Sequence, residues 1–283
     1  MTDRETDPTL ILVNRGLVEC PRWAAGALWF ADWTSGEILK MAQEGVAEVV
    51  ARAPAPPLSF DFLPSGEMLV VAAGERSLLR VHQGGFTPYA DLSALPATGW
   101  NEIVVDGRGA VYVNGGNADA GDDERASGMI ALVGPDGRVR QVADDIAFPN
   151  GMAVTADNRT LVVAESWRSR LTAFDIEADG SLSGRRVFAD VAGAPDGICL
   201  DAEGACWVAS VPLHSCQRVA DGGHVLDEVM LDRSAFACML GGRDRRTLYI
   251  AAAQWFGMDR MDEMTRTGEI LLLEVATPGA GWP

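Results

Sequence analysis

Short apolar segments recur along the whole chain, and glycine, aspartate, asparagine or proline residues separate each segment from the next. Apolar and polar positions alternate within many of these segments, which is typical of strands with one buried face. Stretches with the 3.6-residue periodicity of an amphipathic helix are nearly absent. The pattern predicts an all-β protein.

One unit, a strand followed by a tight polar turn and a second strand, occurs six times. The copies read CPRWAAGALWFAD, FDFLPSGEMLVVA, EIVVDGRGAVYVN, GMAVTADNRTLVVAE, GICLDAEGACWVAS and ACMLGGRDRRTLYIAAA. The first apolar residues after the six turns are Leu28, Met68, Val111, Leu161, Cys206 and Leu248. They are separated by 40, 43, 50, 45 and 42 residues. A period of this length that contains only strands predicts a six-bladed β-propeller with four-stranded blades.

The two ends of the chain predict how the ring closes. Third and fourth strands follow the first five units, whereas the sixth unit has no fourth strand before Pro283. An additional strand, from Leu10 to Asn14, precedes the first unit without a partner of its own. We expect this N-terminal strand to complete the sixth blade, so that residues 1–283 form a single domain.

Composition excludes several classes of function. Acidic residues outnumber basic ones by 40 to 23, and the formal charge of −17 argues against a nucleic-acid partner. No apolar run approaches the roughly 18 residues of a membrane span, so no membrane association is expected. The charged start MTDRETDPTL and five cysteines without a CxxC pair predict a cytoplasmic protein with reduced thiols. The oligomeric state is left open.

Aligning the units by their turns gives one equivalent residue near the start of each innermost strand. The six residues are Glu19, Ser59, Asn101, Asn150, Asp196 and Phe236. Their side chains should converge at one mouth of the central channel, with Phe236 as apolar filling. The other named residues include two carboxylates and two amides, a donor set that suits a hard divalent cation. The residues Pro149 and Gly151 are expected to hold the backbone so that Asn150 faces the axis.

These motifs resemble the family of senescence marker protein (regucalcin), gluconolactonase and luciferin-regenerating enzyme. The resemblance covers nearly the whole chain and is carried by GLVECPRW, FPNGMAVTADNRTLVVAES, RLTAFDI and PDGICLDAEGACWVA. It implies a six-bladed propeller with one divalent metal ion, bound directly by Glu19, Asn150 and Asp196. Asn101 matches a fourth polar residue that binds metal or substrate. Ca²⁺ is the preferred ion, with Mg²⁺, Mn²⁺, Zn²⁺ and Fe²⁺ as alternatives.

The resemblance is weaker for the residues that would bind substrate. Sugar lactonases of the family carry an arginine two residues before the Asn101 position, where this chain has Gly99. A second substrate-facing acid of those enzymes falls on Asp119. Further candidates for substrate contact are expected in or beside mouth-side segments. They are Trp100, Trp167, His214 and Trp255.

The leading hypothesis is a metal-dependent hydrolase that opens a lactone or a related small cyclic ester. By the resemblance, Asp196 matches the carboxylate that activates water. One alternative is a binding propeller without catalysis, which holds calcium structurally. Another is hydrolysis of phosphotriesters, as in diisopropyl fluorophosphatase, a more distant relative with a similar set of one glutamate, two asparagines and one aspartate.

Overall fold

A computed structural model describes residues 7–116, 128–257, 260, 263–264 and 266–280. Within these ranges the chain forms six four-stranded antiparallel sheets. Each innermost strand contacts the innermost strands of the two neighbouring sheets, and the sixth contacts the first, so the sheets form a closed ring around a channel. The predicted six-bladed β-propeller is therefore confirmed. No helix within the described ranges is long and apolar enough to cross a membrane.

The strands follow the chain blade by blade. Blade I contains β2 (Val18–Ala24), β3 (Ala27–Asp32), β4 (Glu37–Gln43) and β5 (Val46–Arg52). Blade II contains β6 (Pro57–Phe62), β7 (Met68–Ala72), β8 (Ser77–His82) and β9 (Gly85–Asp91). Blade III contains β10 (Gly99–Val105), β11 (Val111–Gly116), β12 (Gly128–Val133) and β13 (Val139–Ile146). Blade IV contains β14 (Pro149–Val154), β15 (Thr160–Glu165), a short 3₁₀ helix (Ser166–Arg168), β16 (Arg170–Ile176) and β17 (Leu182–Asp190). Blade V contains β18 (Pro195–Leu200), β19 (Cys206–Ser210), β20 (Ser215–Val219) and β21 (Val225–Met230).

Blade VI is built from both ends of the chain. It contains β22 (Ser234–Gly241), β23 (Thr247–Ala253), β24 (Gly268–Glu274) and, as its outer strand, β1 (Thr9–Arg15). The β1 strand pairs with β24 from Thr9 opposite Leu272 to Arg15 opposite Gly268. Closure by the N-terminal strand is thus confirmed, and the strand is one residue longer at each end than the sequence predicts.

The hydrophobic core lies between neighbouring blades. Second strands such as β15, β19 and β23 are buried along almost their whole length because both of their faces pack against other blades. Outer strands such as β5 and β21 alternate between buried and exposed positions. All five cysteines lie in the described ranges, are buried, and form no disulfide. Their thiols contribute to the packing of the blades.

A C-terminal segment joins blades V and VI on the face opposite the channel mouth. Gly279 forms an isolated antiparallel bridge with Asp201. The N–H of Ala202 donates to the Pro278 carbonyl at 2.8 Å, and the N–H of Gly279 donates to the Arg245 carbonyl at 2.8 Å. The segment after β24 therefore ties the first turn of blade V to that of blade VI, a contact that the strand pattern does not predict.

Candidate metal centre at the channel mouth

Every innermost strand carries a β-bulge at the level of the six equivalent positions. In blade IV, for example, Pro149 pairs with Glu165 and Met152 pairs with Val163, so three residue steps along β14 lie opposite two residue steps along β15. The same extra residue occurs in β2, β6, β10, β18 and β22. A bulge bends the strand locally and redirects a side chain. Bulges are therefore found at the level where the structure places the oxygen-bearing side chains.

Two glycines allow the innermost strands to approach each other below this level. A Cβ atom on Gly151 would lie 2.6 Å from the Asp196 carbonyl oxygen, and one on Gly197 would lie 2.5 Å from the Ala237 Cβ. Neither glycine has a positive φ. The glycine after Asn150 and the one after Asp196 are thus explained by close packing of neighbouring strands rather than by an unusual backbone conformation.

The structure brings the predicted ligands together at the mouth. Glu19 is 4% exposed and Asp196 is 9% exposed, whereas Asn101 and Asn150 are partly exposed. The amide of Asn150 forms a hydrogen bond with the Asp196 carboxylate. The Asn101 Nδ2 donates to the Pro149 carbonyl at 3.1 Å, which connects blade III to blade IV.

The hydrogen bonds of the two amides leave their oxygen atoms for a ligand. Asn101 uses its Nδ2 for the Pro149 carbonyl, and Asn150 uses its Nδ2 for the Ser166 hydroxyl at 3.4 Å. No hydrogen-bond donor among the described residues reaches either Oδ1. Amide oxygens and carboxylates are ligands that hard cations prefer. The donor set therefore fits a divalent cation.

Burial and mutual repulsion perturb the carboxylates. Burial raises the pKa of Glu19 well above its ordinary value, and the neighbouring charges of Asp196 and Glu102 raise it further. Burial likewise raises the pKa of Asp196, with Glu102 adding to the effect and the Asn150 hydrogen bond opposing it. Within the described ranges no three His, Cys, Asp or Glu side chains are arranged to hold a metal ion, so a centre here depends on the amides.

A buried ion cluster lies in the channel beside these residues, and sequence reasoning missed it. The Arg22 guanidinium lies 3.7 Å from both the Asp61 and the Glu102 carboxylates. It also donates to the Ile103 carbonyl at 3.0 Å, while the Ser59 hydroxyl donates to Glu102 at 2.7 Å. The available signal was the presence of charged residues within otherwise apolar innermost strands, in ECPRW, FDF and NEI.

The cluster changes the charge balance of the channel. Glu19, Asp61, Glu102 and Asp196 supply four negative charges when ionised, and Arg22 supplies one positive charge. A cavity of about 10 Å³, lined by Cys20, Arg22 and Glu102 among others, remains in this part of the channel. Such a volume holds at most about one water molecule. The excess of negative charge among these buried carboxylates favours a bound cation.

Asn114 is a second residue that sequence reasoning missed. Its side chain is fully buried on β11. The Oδ1 accepts from the Glu102 N–H at 3.1 Å, and the Nδ2 donates to the Asn150 carbonyl at 2.6 Å. One amide therefore connects the bulges of β10 and β14, and so fixes the backbone that carries Asn101 relative to the backbone that carries Asn150.

Comparisons with known proteins identify the family of the chain. A family model described as the SMP-30/Gluconolactonase/LRE-like region matches residues 17–254. The chain belongs to this family. It is 30% identical to regucalcin of Danio rerio over 197 residues, which cover 67% of this chain and 66% of that protein. It is 25% identical to the 6-deoxy-6-sulfogluconolactonase of Pseudomonas putida over 276 residues, or 94% of each chain.

Solved structures of similar fold include two propellers that cover nearly all of the chain. A luciferin-regenerating enzyme superposes with a TM-score of 0.81 at 20% identity, covering 96% of this chain and 97% of that one. A regucalcin from Agrobacterium tumefaciens, described as a calcium-binding protein, gives a TM-score of 0.79 at 21% identity, covering 97% and 98%. At these identities the likeness supports the fold alone.

The predicted substrate residues of this family member lie in different environments. Trp100 is buried in the core between blades II and III, and its indole N–H has no hydrogen-bond partner in the described part of the chain. Trp167 is 54% exposed and packs edge-on against Phe148. Trp255 packs edge-on against Phe236.

The remaining substrate candidates are His214 and Asp119. His214 is exposed in the turn between β19 and β20, where its carbonyl accepts from the Leu231 N–H at 2.8 Å. Asp119 lies outside the described residues.

Proposed function

We propose that the protein is a divalent-metal-dependent hydrolase that opens a lactone. The observation that carries the proposal is the set of two carboxylates and two amides at the channel mouth, in which the amide oxygens accept no hydrogen bond from the described residues. Membership of a family that includes gluconolactonases, and the similarity to a 6-deoxy-6-sulfogluconolactonase, support a lactone as the substrate.

Glu19, Asn150 and Asp196 would hold the metal ion, with Asn101 as a fourth ligand or a contact to substrate. Ca²⁺ is the preferred ion, because all four side chains offer oxygen and the similar regucalcin of Agrobacterium tumefaciens is described as calcium-binding. When bound, the cation supplies Lewis-acid polarisation of the lactone carbonyl and stabilises negative charge on its oxygen.

Asp196 would act as the general base. Its carboxylate would accept a proton from the attacking water, and the Asn150 amide would hold the carboxylate in orientation through their hydrogen bond. Burial shifts the pKa of Asp196 upward, in the direction that brings a carboxylate closer to the pH at which a base works best. A cation would reverse part of that shift. The buried Arg22 cluster would keep water and substrate from passing deeper into the channel.

The first test is activity against lactones after metal removal. Chelator-stripped protein should bind one divalent ion per chain and hydrolyse simple lactones only when Ca²⁺ or another divalent ion is restored. Phosphotriesters assayed in parallel should be poor substrates. Stoichiometric metal binding without turnover of any lactone would instead favour a binding propeller.

The second test separates the ligand role of Asp196 from its role as a base. Asp196→Asn keeps an oxygen for the cation but removes the proton acceptor, so kcat/KM at saturating metal should fall about 10²–10⁴-fold. Asn150→Asp is the matched control, because it adds charge at the cation and leaves the base intact. It should retain or tighten metal binding and lose less activity. A loss of only a few-fold in Asp196→Asn would mean that another group is the base.

A further inference from the structure

One blade contributes an apolar residue at the level of the candidate centre. Blade VI stands in the ring between blade V, which carries Asp196, and blade I, which carries Glu19. Its residue at the equivalent level is Phe236. The other five blades present polar side chains at this level, so the environment of the centre is asymmetric.

Apolar side chains pack around Phe236. Phe236 is buried in a small cluster with Leu17 and Ala253, and Trp33 and Val211 pack against that cluster. The Phe236 carbonyl oxygen would be 3.0 Å from a Cβ on Gly197, the residue after Asp196. The backbones of β18 and β22 are therefore in close contact at the residue after Asp196.

Trp255 extends the cluster toward solvent. Its ring centroid is 5.5 Å from that of Phe236, with an interplanar angle of 67°. The Trp255 side chain is 37% exposed, whereas Phe236 is 4% exposed. The cluster therefore extends from buried Phe236 to partly exposed side chains. We name it the blade VI wall, after Phe236 and Trp255 of that blade, and it also includes Leu17 and Trp33 beside blade I and Val211 beside blade V.

The charged and polar groups of the mouth are on other blades. The amides of Asn101 and Asn150 belong to blade III, which is opposite blade VI in the ring, and to blade IV, which is two blades away from it. Gly99, two residues before Asn101, offers no charged side chain to a sugar hydroxyl or carboxylate. A ligand at the centre therefore meets polar groups on one side and apolar surface on the other.

We propose that the blade VI wall binds an apolar substituent of the lactone ring. The inference rests on the proposed lactonase function and names its substrate class: alkyl- or aryl-substituted lactones rather than polyhydroxylated sugar lactones. Burying a methylene group against such a wall is worth about fourfold in kcat/KM. Each added methylene should raise kcat/KM by about this factor until the substituent extends beyond Trp255.

The test measures kcat/KM for γ-lactones with linear alkyl chains from methyl to hexyl, with gluconolactone as the polar comparison. The wild-type protein should show a rise with chain length and poor turnover of gluconolactone. Trp255→Gln should flatten that rise, with the largest loss of kcat/KM for the longest chains, and Trp255→Phe should restore most of it. Met230→Gln is the control, because Met230 is 61% exposed on the outer strand of blade V and its loss should leave the chain-length dependence intact.

A binding measurement separates this inference from the proposed function. The corresponding γ-alkyl lactams are not readily hydrolysed, so calorimetry on the Ca²⁺-loaded protein reports binding without turnover. A rise of lactam affinity with chain length in the wild type but not in Trp255→Gln, without hydrolysis of any lactone, would support the blade VI wall as a binding surface. The same result would reject the proposed hydrolase activity. A flat chain-length dependence in both assays, a preference for gluconolactone, or equal effects of Trp255→Gln and Met230→Gln would overturn the proposal.

Discussion

Replacement of Arg22 by methionine tests the buried ion cluster most directly. Arg22, Asp61 and Glu102 are 7%, 2% and 5% exposed, and the guanidinium is the only cation that the structure shows in contact with the two carboxylates in the described part of the chain. Arg22→Met leaves two buried carboxylates without a counter-charge. It also removes hydrogen bonds to the Pro21 and Ile103 carbonyls.

The expected cost follows from the burial of both partners. Removing one member of a buried ion pair costs about 3–5 kcal/mol, because the remaining charge is neither hydrated nor paired. Replacing the whole cluster by neutral side chains of similar shape is close to neutral. The triple variant Arg22→Met, Asp61→Asn, Glu102→Gln should therefore recover most of the stability that the single variant loses.

The stability that Arg22→Met loses relative to the wild type should also depend on pH. Burial already raises the pKa values of Asp61 and Glu102 against the opposing charge of Arg22, and without Arg22 both folded-state values should rise further. Between the ordinary carboxyl pKa and the raised folded value, the native state binds more protons than the unfolded state, so stability falls as pH rises. The single variant should therefore approach the wild type at low pH and diverge from it toward neutrality.

Urea unfolding followed by tryptophan fluorescence gives the free energy of unfolding for each variant. Arg138→Met is the control, since the Arg138 side chain is 88% exposed beside Asp136 and such pairs contribute little. A loss below about 1 kcal/mol in Arg22→Met, or a triple variant no more stable than the single one, would refute the argument that the cluster is held by its internal charges.

Two further predictions concern the candidate metal centre and the closure of the ring. Because the pKa values of Glu19 and Asp196 are raised, the unfolding temperature of the protein in chelator should fall as pH increases above the ordinary carboxyl range. Added Ca²⁺ should weaken this pH dependence. A protein that gains stability in chelator over the same pH interval would contradict the raised pKa values. Deletion of residues 1–15 should lower the unfolding temperature sharply, because it exposes the whole edge of β24. A synthetic peptide of residues 7–16 should restore part of the lost stability. An unchanged unfolding temperature would mean that β1 does not hold the ring closed.

Some features of the candidate centre could be predicted because they repeat locally. Glu19, Asn101, Asn150 and Asp196 lie 9, 10, 11 and 10 residues before the first apolar residue after the turn, so aligning the turns nearly aligns the side chains. Strand alternation and turn spacing act over a few residues and predict each blade independently. The unpaired segment at Leu10 to Asn14 then left one way to complete the sixth blade, which the structure confirms.

The groups that support this layer could not be predicted in the same way. Arg22, Asp61 and Glu102 belong to three blades and have no common offset, so nothing in the sequence pairs them. The link through Asn114 and the bridge between Gly279 and Asp201 likewise join distant segments. Each depends on which strands become neighbours after the ring has closed.

The sequence by itself determined the strands, the number of blades, the closing strand and the level of the four oxygen-bearing residues, because these depend on periodicities within a blade. Only the tertiary structure decided which charges meet in the channel, which amide oxygens remain without a donor, and where the apolar wall lies. Bulges and glycine contacts set the direction of these side chains and the distance between neighbouring innermost strands. Contacts of this kind depend on the closed ring, since no single blade contains both partners.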